Sequence, residues 1–227
     1  MNLTNSGNKV ISINLSQPIF RLLKSKYLYI AILSFITGAG LNIASQTYLH
    51  NHFSGGGKLP MLSDLILDNL PVINVALYYD IFALIPIILV IIYVIHKNQY
   101  NRVPFILMMS AIFYIVRGIF IVLTPFGNPP MFSGSDPLFN GFSKFDLGVY
   151  PSGHAGNVFL LFLLVHDKFY KWLIFICLIL VIITLFLAHG HYSIDIFSGL
   201  FFAYAICSFG EKNLMMFDLD YQDRNKP

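Results

Sequence analysis

Charge is scarce in this chain of 227 residues: Asp, Glu, Lys and Arg make up 11% of it, against about a quarter of an ordinary soluble domain. A sequence so poor in charge excludes a typical cytosolic fold. Cysteine is nearly absent too. Cys177 and Cys207 lie inside apolar stretches, with no C-x-x-C spacing and no partner in a loop. That excludes a disulfide framework and a thiolate zinc site, and leaves two buried thiols. The formal net charge of +3 does not point to nucleic acid, because the Lys and Arg residues fall in short clusters rather than along one basic face. Internal repeats and heptads are absent as well.

What is abundant is apolar sequence in long blocks: 56% of the residues are hydrophobic and 16% aromatic. A bilayer core of about 30 Å needs about 20 mainly apolar residues per helix. Six blocks meet or approach that length, at 27–49, 71–95, 104–124, 153–165, 172–187 and 192–209. The fourth and fifth are short and are completed by polar residues of the flanking turns. The expected fold is therefore an all-α membrane protein. Its six transmembrane helices form one bundle over 27–210, between an N-terminal tail (1–26) and a C-terminal tail (211–227). The first tail is too long and too polar for the n-region of a signal peptide, so it reads as a retained cytoplasmic segment.

Positive residues are held on the cytoplasmic side of a membrane. With both termini inside, the cytoplasmic segments carry Lys9, Arg21, Lys24, Lys26, Lys97, Arg102, Lys168, Lys171, Lys212, Arg224 and Lys226, and the outer loops carry Lys58 and Lys144. The asymmetry supports this orientation, and the brief loops fit a plasma (inner) membrane, the one expected here, as well as an organelle. In the first outer loop, Asp64 and Asp68 fall four apart, opposite Leu62, Leu65, Ile66 and Leu70, the pattern of a short interfacial helix over 61–70. The loop 125–150, rich in Gly, Pro and Phe, is expected to cap a site.

Ionisable residues in or at the ends of membrane spans are costly, and each is a functional candidate. They are Asp80, Arg117, His154, His189, His191 and Asp195. In the expected topology Arg117, His154, His189, His191 and Asp195 share the outer face. His191 and Asp195 are four residues apart at the start of the last span, where i and i+4 share a helix face. The carboxylate would then hold one imidazole nitrogen and leave the other with a free lone pair, which makes His191 a candidate nucleophile. Pro151-Ser152-Gly153 before His154 suits a turn that opens a helix, whose N–H groups face a bound anion. Ser152, Gly153 and the fixed charge of Arg117 are thus candidate phosphate ligands. Asp80, His189 and Tyr150 are assigned to headgroup contact or to support of the site. Phe132, Phe139, Phe142, Phe145 and Tyr150 are candidates for an aromatic cage around a choline cation. His189, His191 and Asp195 as metal ligands are disfavoured, since an H-x-H pair on a helix points to nearly opposite sides.

These residues carry a resemblance. Tyr150-Pro151-Ser152-Gly153-His154, followed by Ala188-His189-Gly190-His191-Tyr192-Ser193-Ile194-Asp195, resembles the paired histidine motifs of the type 2 phosphatidic acid phosphatase superfamily. The likeness is closer to its sphingomyelin synthase branch, whose last motif has the form A-H-x-H-Y-[ST]-[IV]-D. Arg117, followed by Thr124-Pro125, and the Leu-Pro-rich stretch from Leu59-Pro60 to Leu70-Pro71 are also similar to segments of that branch. The resemblance implies six helices and catalysis without metal or other cofactor. The residue matching His191 attacks phosphorus, the one matching Asp195 supports it, and the one matching His154 protonates the leaving alcohol. A phosphohistidine then passes the group to water or to a lipid alcohol such as ceramide or diacylglycerol.

The departures bear on substrate. Phosphatases of the superfamily carry K-x6-R-P and S-R-x5-H-x3-D; here Ser110 stands in place of the lysine, Gly118 in place of the proline, and Thr184-Leu185 in place of Ser-Arg. A phosphomonoester bears about −1.5 to −2 charges near neutral pH, and a site short of two cations suits a diester carrying about −1. A phospholipid donor of a headgroup such as phosphocholine or phosphoethanolamine is therefore expected. Phosphatidic acid or isoprenoid pyrophosphate hydrolysis is the alternative, and non-catalytic lipid transport a third of another class. A homo-oligomer is compatible with the sequence.

Overall fold

The computed structural model describes residues 16–53, 59–129 and 150–224. They form eight α-helices: α1 (Ser16–Lys24), α2 (Lys26–Phe53), α3 (Ala76–His96), α4 (Val103–Leu123), α5 (Gly153–Leu164), α6 (Lys168–Leu187), α7 (Ser193–Asn213) and α8 (Leu219–Arg224). Among the described residues there is no strand.

Five helices, α2, α3, α4 (with the 3-10 turn before it), α6 and α7, are long and apolar enough to cross a membrane. Their outward faces carry large exposed apolar side chains, such as Ile30, Leu33 and Ile36 on α2, Ile88 and Ile91 on α3, and Phe197 and Phe201 on α7. Such surfaces are stable against lipid tails, where helical backbone satisfies its own polar groups. The fourth expected span is a helix of 12 residues, Gly153–Leu164, which at 1.5 Å per residue covers about 18 Å.

Small residues set the close helix crossings. A Cβ on Gly38 of α2 would lie 2.6 Å from the Ala111 carbonyl oxygen of α4, and one on Gly118 of α4 would lie 3.3 Å from the Asn42 backbone of α2. Gly38 and Gly118 thus let these two helices approach, as small residues do in membrane bundles. A second crossing pairs Gly156 of α5 with Gly199 of α7, whose Cβ would lie 2.6 Å from the Ser152 carbonyl oxygen.

The two expected tails are partly ordered against the bundle. Part of 1–26 is helix α1, and Arg21 donates to the Leu219 carbonyl at 2.7 Å. Tyr27 packs edge-on against Phe217, and Leu22, Leu28 and Leu219 share a small apolar cluster. At this same end Lys97 pairs with Asp167 at 3.0 Å, and Arg102 lies 3.8 Å from Asp218. Every described Lys and Arg except Arg117 belongs to this end of the bundle. The expected interfacial helix over 61–70 is instead a single 3-10 turn, Leu67–Asn69, in otherwise extended chain. Asp64 is drawn inward as a cap there, which removes one of the two carboxylates from the face expected to meet water.

Candidate functional site

Opposite the basic end, four stretches of chain converge. The first turns of α3 bring Asp80, the upper part of α4 brings Arg117, the start of α5 brings His154, and the turn between α6 and α7 brings His191. Backbone bonds lock this junction: the Ser152 amide donates to the Asp195 carbonyl at 2.9 Å, and the Ile73 amide to the Leu187 carbonyl at 2.8 Å. The α5–α7 crossing at Gly156 and Gly199 holds the two histidine-bearing turns side by side, with the His154 and His191 rings 6.0 Å apart. Arg117 lies six residues below the end of α4, so the site is recessed by about 9 Å at 1.5 Å per residue.

Each histidine has a carboxylate. His191 Nδ1 is 3.4 Å from Asp195 Oδ2, and His154 Nε2 is 2.8 Å from Asp80 Oδ1. Both carboxylates are fully buried. The His191–Asp195 contact does not arise from a shared helix face. His191 precedes α7, Tyr192 is the N-cap, and the Asp195 carboxylate reaches back to accept the Tyr192 amide at 3.0 Å. One carboxylate thereby caps the helix and meets the imidazole. Burial pushes the His191 pKa below its ordinary value, the nearby Asp195 opposes this, and the positive charge of His154 and Arg117 adds to the depression. The neutral ring follows, with Nδ1–H toward Asp195 and a lone pair on Nε2. For His154 the nitrogen that meets the carboxylate is Nε2. Asp80 is the partner that residue order did not assign to His154; the available signal was a lone carboxylate inside an apolar span. Tyr79, one residue earlier, packs its ring edge-on to His154 at 5.1 Å.

Arg117 is buried, and it donates to the Pro151 carbonyl at 2.9 Å through Nε and to Asn42 Oδ1 of α2 at 2.5 Å through Nη1. Gly153 makes room for it, since a Cβ there would lie 3.0 Å from Arg117 Nε. The guanidinium therefore lies against the first turn of α5, where helix N–H groups gather partial positive charge. Ser152 departs from its expected role. Its hydroxyl caps α5 by accepting the Ala155 amide and its own amide donates to the Asp195 carbonyl, so both groups are engaged in holding the turn. The Gly153 amide has no partner among the described residues.

A strap from the first loop closes one side. Asp64 Oδ2 accepts the Ser193 amide at 2.5 Å, and Oδ1 accepts the Ile66 and Leu67 amides. The Tyr192 hydroxyl accepts the Leu62 amide and donates to the Asn128 carbonyl. Burial alone would raise the Asp64 pKa, but the amides of Ser193, Leu67 and Ile66 outweigh it and leave the carboxyl below its usual range. A depressed carboxyl contributes stability above its unfolded pKa, and that stability is lost as pH falls through the lower folded value. Asp64→Asn is expected to cost about 1–3 kcal/mol through the amides left short of an acceptor. Thermal unfolding in detergent should show this loss at neutral pH and a smaller gap between variant and wild type toward pH 3.

Tyr150 packs among aromatic rings, with Phe126 5.9 Å and Phe120 6.1 Å from it. Phe132, Phe139, Phe142 and Phe145, and most of the expected cap, lie outside the described residues. His189 is buried in the α6–α7 turn with φ 51°, and its Nε2 has no hydrogen-bond partner among the described residues. The earlier argument from helical spacing for His189 and His191 does not apply, because neither is helical. Among the described residues no three His, Cys, Asp or Glu side chains are grouped to hold a metal ion.

No family model matches the sequence, and no curated protein matches it.

Proposed function

We propose that this protein is a membrane lipid phosphotransferase or phospholipase C-like enzyme that takes the headgroup of a phospholipid diester through a phosphohistidine. The observation that carries the reading is the facing pair of imidazole–carboxylate couples, His191–Asp195 and His154–Asp80, with rings 6.0 Å apart beside Arg117. Two histidines at that separation can bracket one phosphorus atom, one as nucleophile and one as acid and base.

In this mechanism His191 Nε2 attacks phosphorus while the bond to the diacylglycerol oxygen breaks. His154 gives a proton to that oxygen. Asp80 orients His154 through Nε2, and Asp195 stabilises His191 as it gains positive charge. The acceptor hydroxyl, from water or a lipid alcohol such as ceramide, then loses its proton to His154. Its oxygen attacks phosphorus, the P–N bond breaks, and His191 is restored. Arg117 and the first turn of α5 carry the negative charge of the phosphoryl oxygens.

Two further features support a lipid diester. Arg117, six residues below the end of α4, suits a headgroup entering from the bilayer side, and it is the one described Lys or Arg at that end of the bundle, which suits a single negative charge. The orientation belongs to the same proposal: six passes including the short α5, both termini and the basic end in the cytoplasm, and the site on the extracytoplasmic side of the plasma (inner) membrane. Purified protein in liposomes is expected to release diacylglycerol from headgroup-labelled phosphatidylcholine or phosphatidylethanolamine. Adding ceramide should move label onto it if the acceptor is a lipid alcohol. Turnover of phosphatidic acid alone would make the protein a phosphatase and overturn the charge argument.

A further inference from the structure

At the basic end, far from the histidines, a groove of about 250 Å³ opens between the end of α5 and the start of α6, lined by Phe162, Lys168, Lys171, Trp172 and Phe175. Its walls are almost wholly apolar, yet two ammonium groups stand at it. Lys171 Nζ lies 4.8 Å from the centre of the Phe162 ring, so its charge is held over the groove by a cation–π contact. Neither Lys168 nor Lys171 forms an ion pair with a described carboxylate, whereas the neighbouring Lys97 is paired with Asp167 at 3.0 Å. Trp172 is exposed to the extent of 65%, as is usual for an indole at the level of lipid headgroups.

We propose that this groove binds an anionic phospholipid, with its phosphate between Lys168 and Lys171 and the start of an acyl chain along Phe162, Trp172 and Phe175. Phe162 lies in the last turn of α5, which ends at Leu164, and α6 begins at Lys168, so the groove sits at the junction of the two helices. A zwitterionic lipid would fill the apolar part equally well but would bring its own cation to two unpaired ammonium groups. An anionic headgroup neutralises them, in the manner of basic pockets between membrane helices.

The test uses the full chain, whose one tryptophan is Trp172 itself. Protein is placed in phosphatidylcholine vesicles containing a minor fraction of dibrominated phosphatidylglycerol or, separately, dibrominated phosphatidylcholine, and Trp172 fluorescence is recorded. Preferential quenching by the anionic lipid is expected, with a relative affinity raised about fivefold for each lysine. The double variant Lys168→Gln/Lys171→Gln should lose the preference and retain quenching by brominated phosphatidylcholine, which shows that the indole still meets lipid. Lys212→Gln, at the same end but outside the groove, should keep the preference. Equal quenching by both lipids in the wild type, or loss of preference in Lys212→Gln to the same degree, would overturn the site. Both readouts are independent of any lipid turnover.

Discussion

His191→Ala is expected to lower headgroup release by about 10³-fold or more, because it removes the atom to which phosphorus becomes bonded rather than one that assists it. The substitution should leave the fold in place, since His191 lies in a turn and its Asp195 partner keeps the Tyr192 amide. A thermal unfolding midpoint close to the wild type in detergent would check this. Rapid quenching of wild-type protein with headgroup-labelled lipid should trap an acid-labile, base-stable label on the chain, absent from the variant. The pH dependence follows from the depressed pKa of His191. The attacking ring must be neutral, so the rate should hold as pH falls past the ordinary histidine value of about 6.5 and decline only below it. Turnover that survives His191→Ala would remove the nucleophile assignment. Lipid movement between leaflets in both proteins, with no hydrolysis in either, would favour a transporter built on the same recess.

Gly199→Val is expected to be the most damaging change away from the reacting groups. Even the first carbon of a side chain there would lie 2.6 Å from the Ser152 carbonyl oxygen and 3.2 Å from the Gly156 amide. Backbone cannot turn aside as a flexible side chain does, so α5 must move away from α7. That displacement separates His154 from His191 and strains the bond from the Ser152 amide to Asp195. Overpacking of this kind costs about 1–3 kcal/mol, sometimes more, and a shift near 1 Å between reacting groups can cost about 10²-fold in rate. The matched control is Gly40→Ala, since a Cβ there meets nothing within 4 Å. It should leave turnover unchanged and stability equal or slightly higher. Wild-type turnover in Gly199→Val would show that the α5–α7 crossing does not set the distance between the histidines.

The membrane character was legible because it rests on summed composition: blocks of about 20 apolar residues need no knowledge of what they touch. Five such helices are present, and the expected fourth, a short block at 153–165, is the 12-residue helix Gly153–Leu164. His154, His191, Asp195 and Arg117 were readable as a group because charge inside an apolar block is costly wherever it falls. Their partners were not readable. Asp80 lies 74 positions before His154, and Asn42 lies 75 before Arg117, and no local spacing relates such pairs. His191 was assigned to a helix face by its four-residue offset from Asp195, whereas a cap does the work, since i to i+4 proximity also arises at a helix start when the carboxylate folds back.

By itself the sequence determined that apolar helices form, roughly where they begin and end, and which few polar residues had to be accounted for, since these follow from local hydrophobicity and backbone chemistry. Tertiary structure alone decided which carboxylate faces which imidazole, that Ser152 and Asp64 serve as caps, and that two glycine crossings set the spacing of the site. Those outcomes depend on distances between segments far apart in the chain, and such distances exist only once the helices have packed.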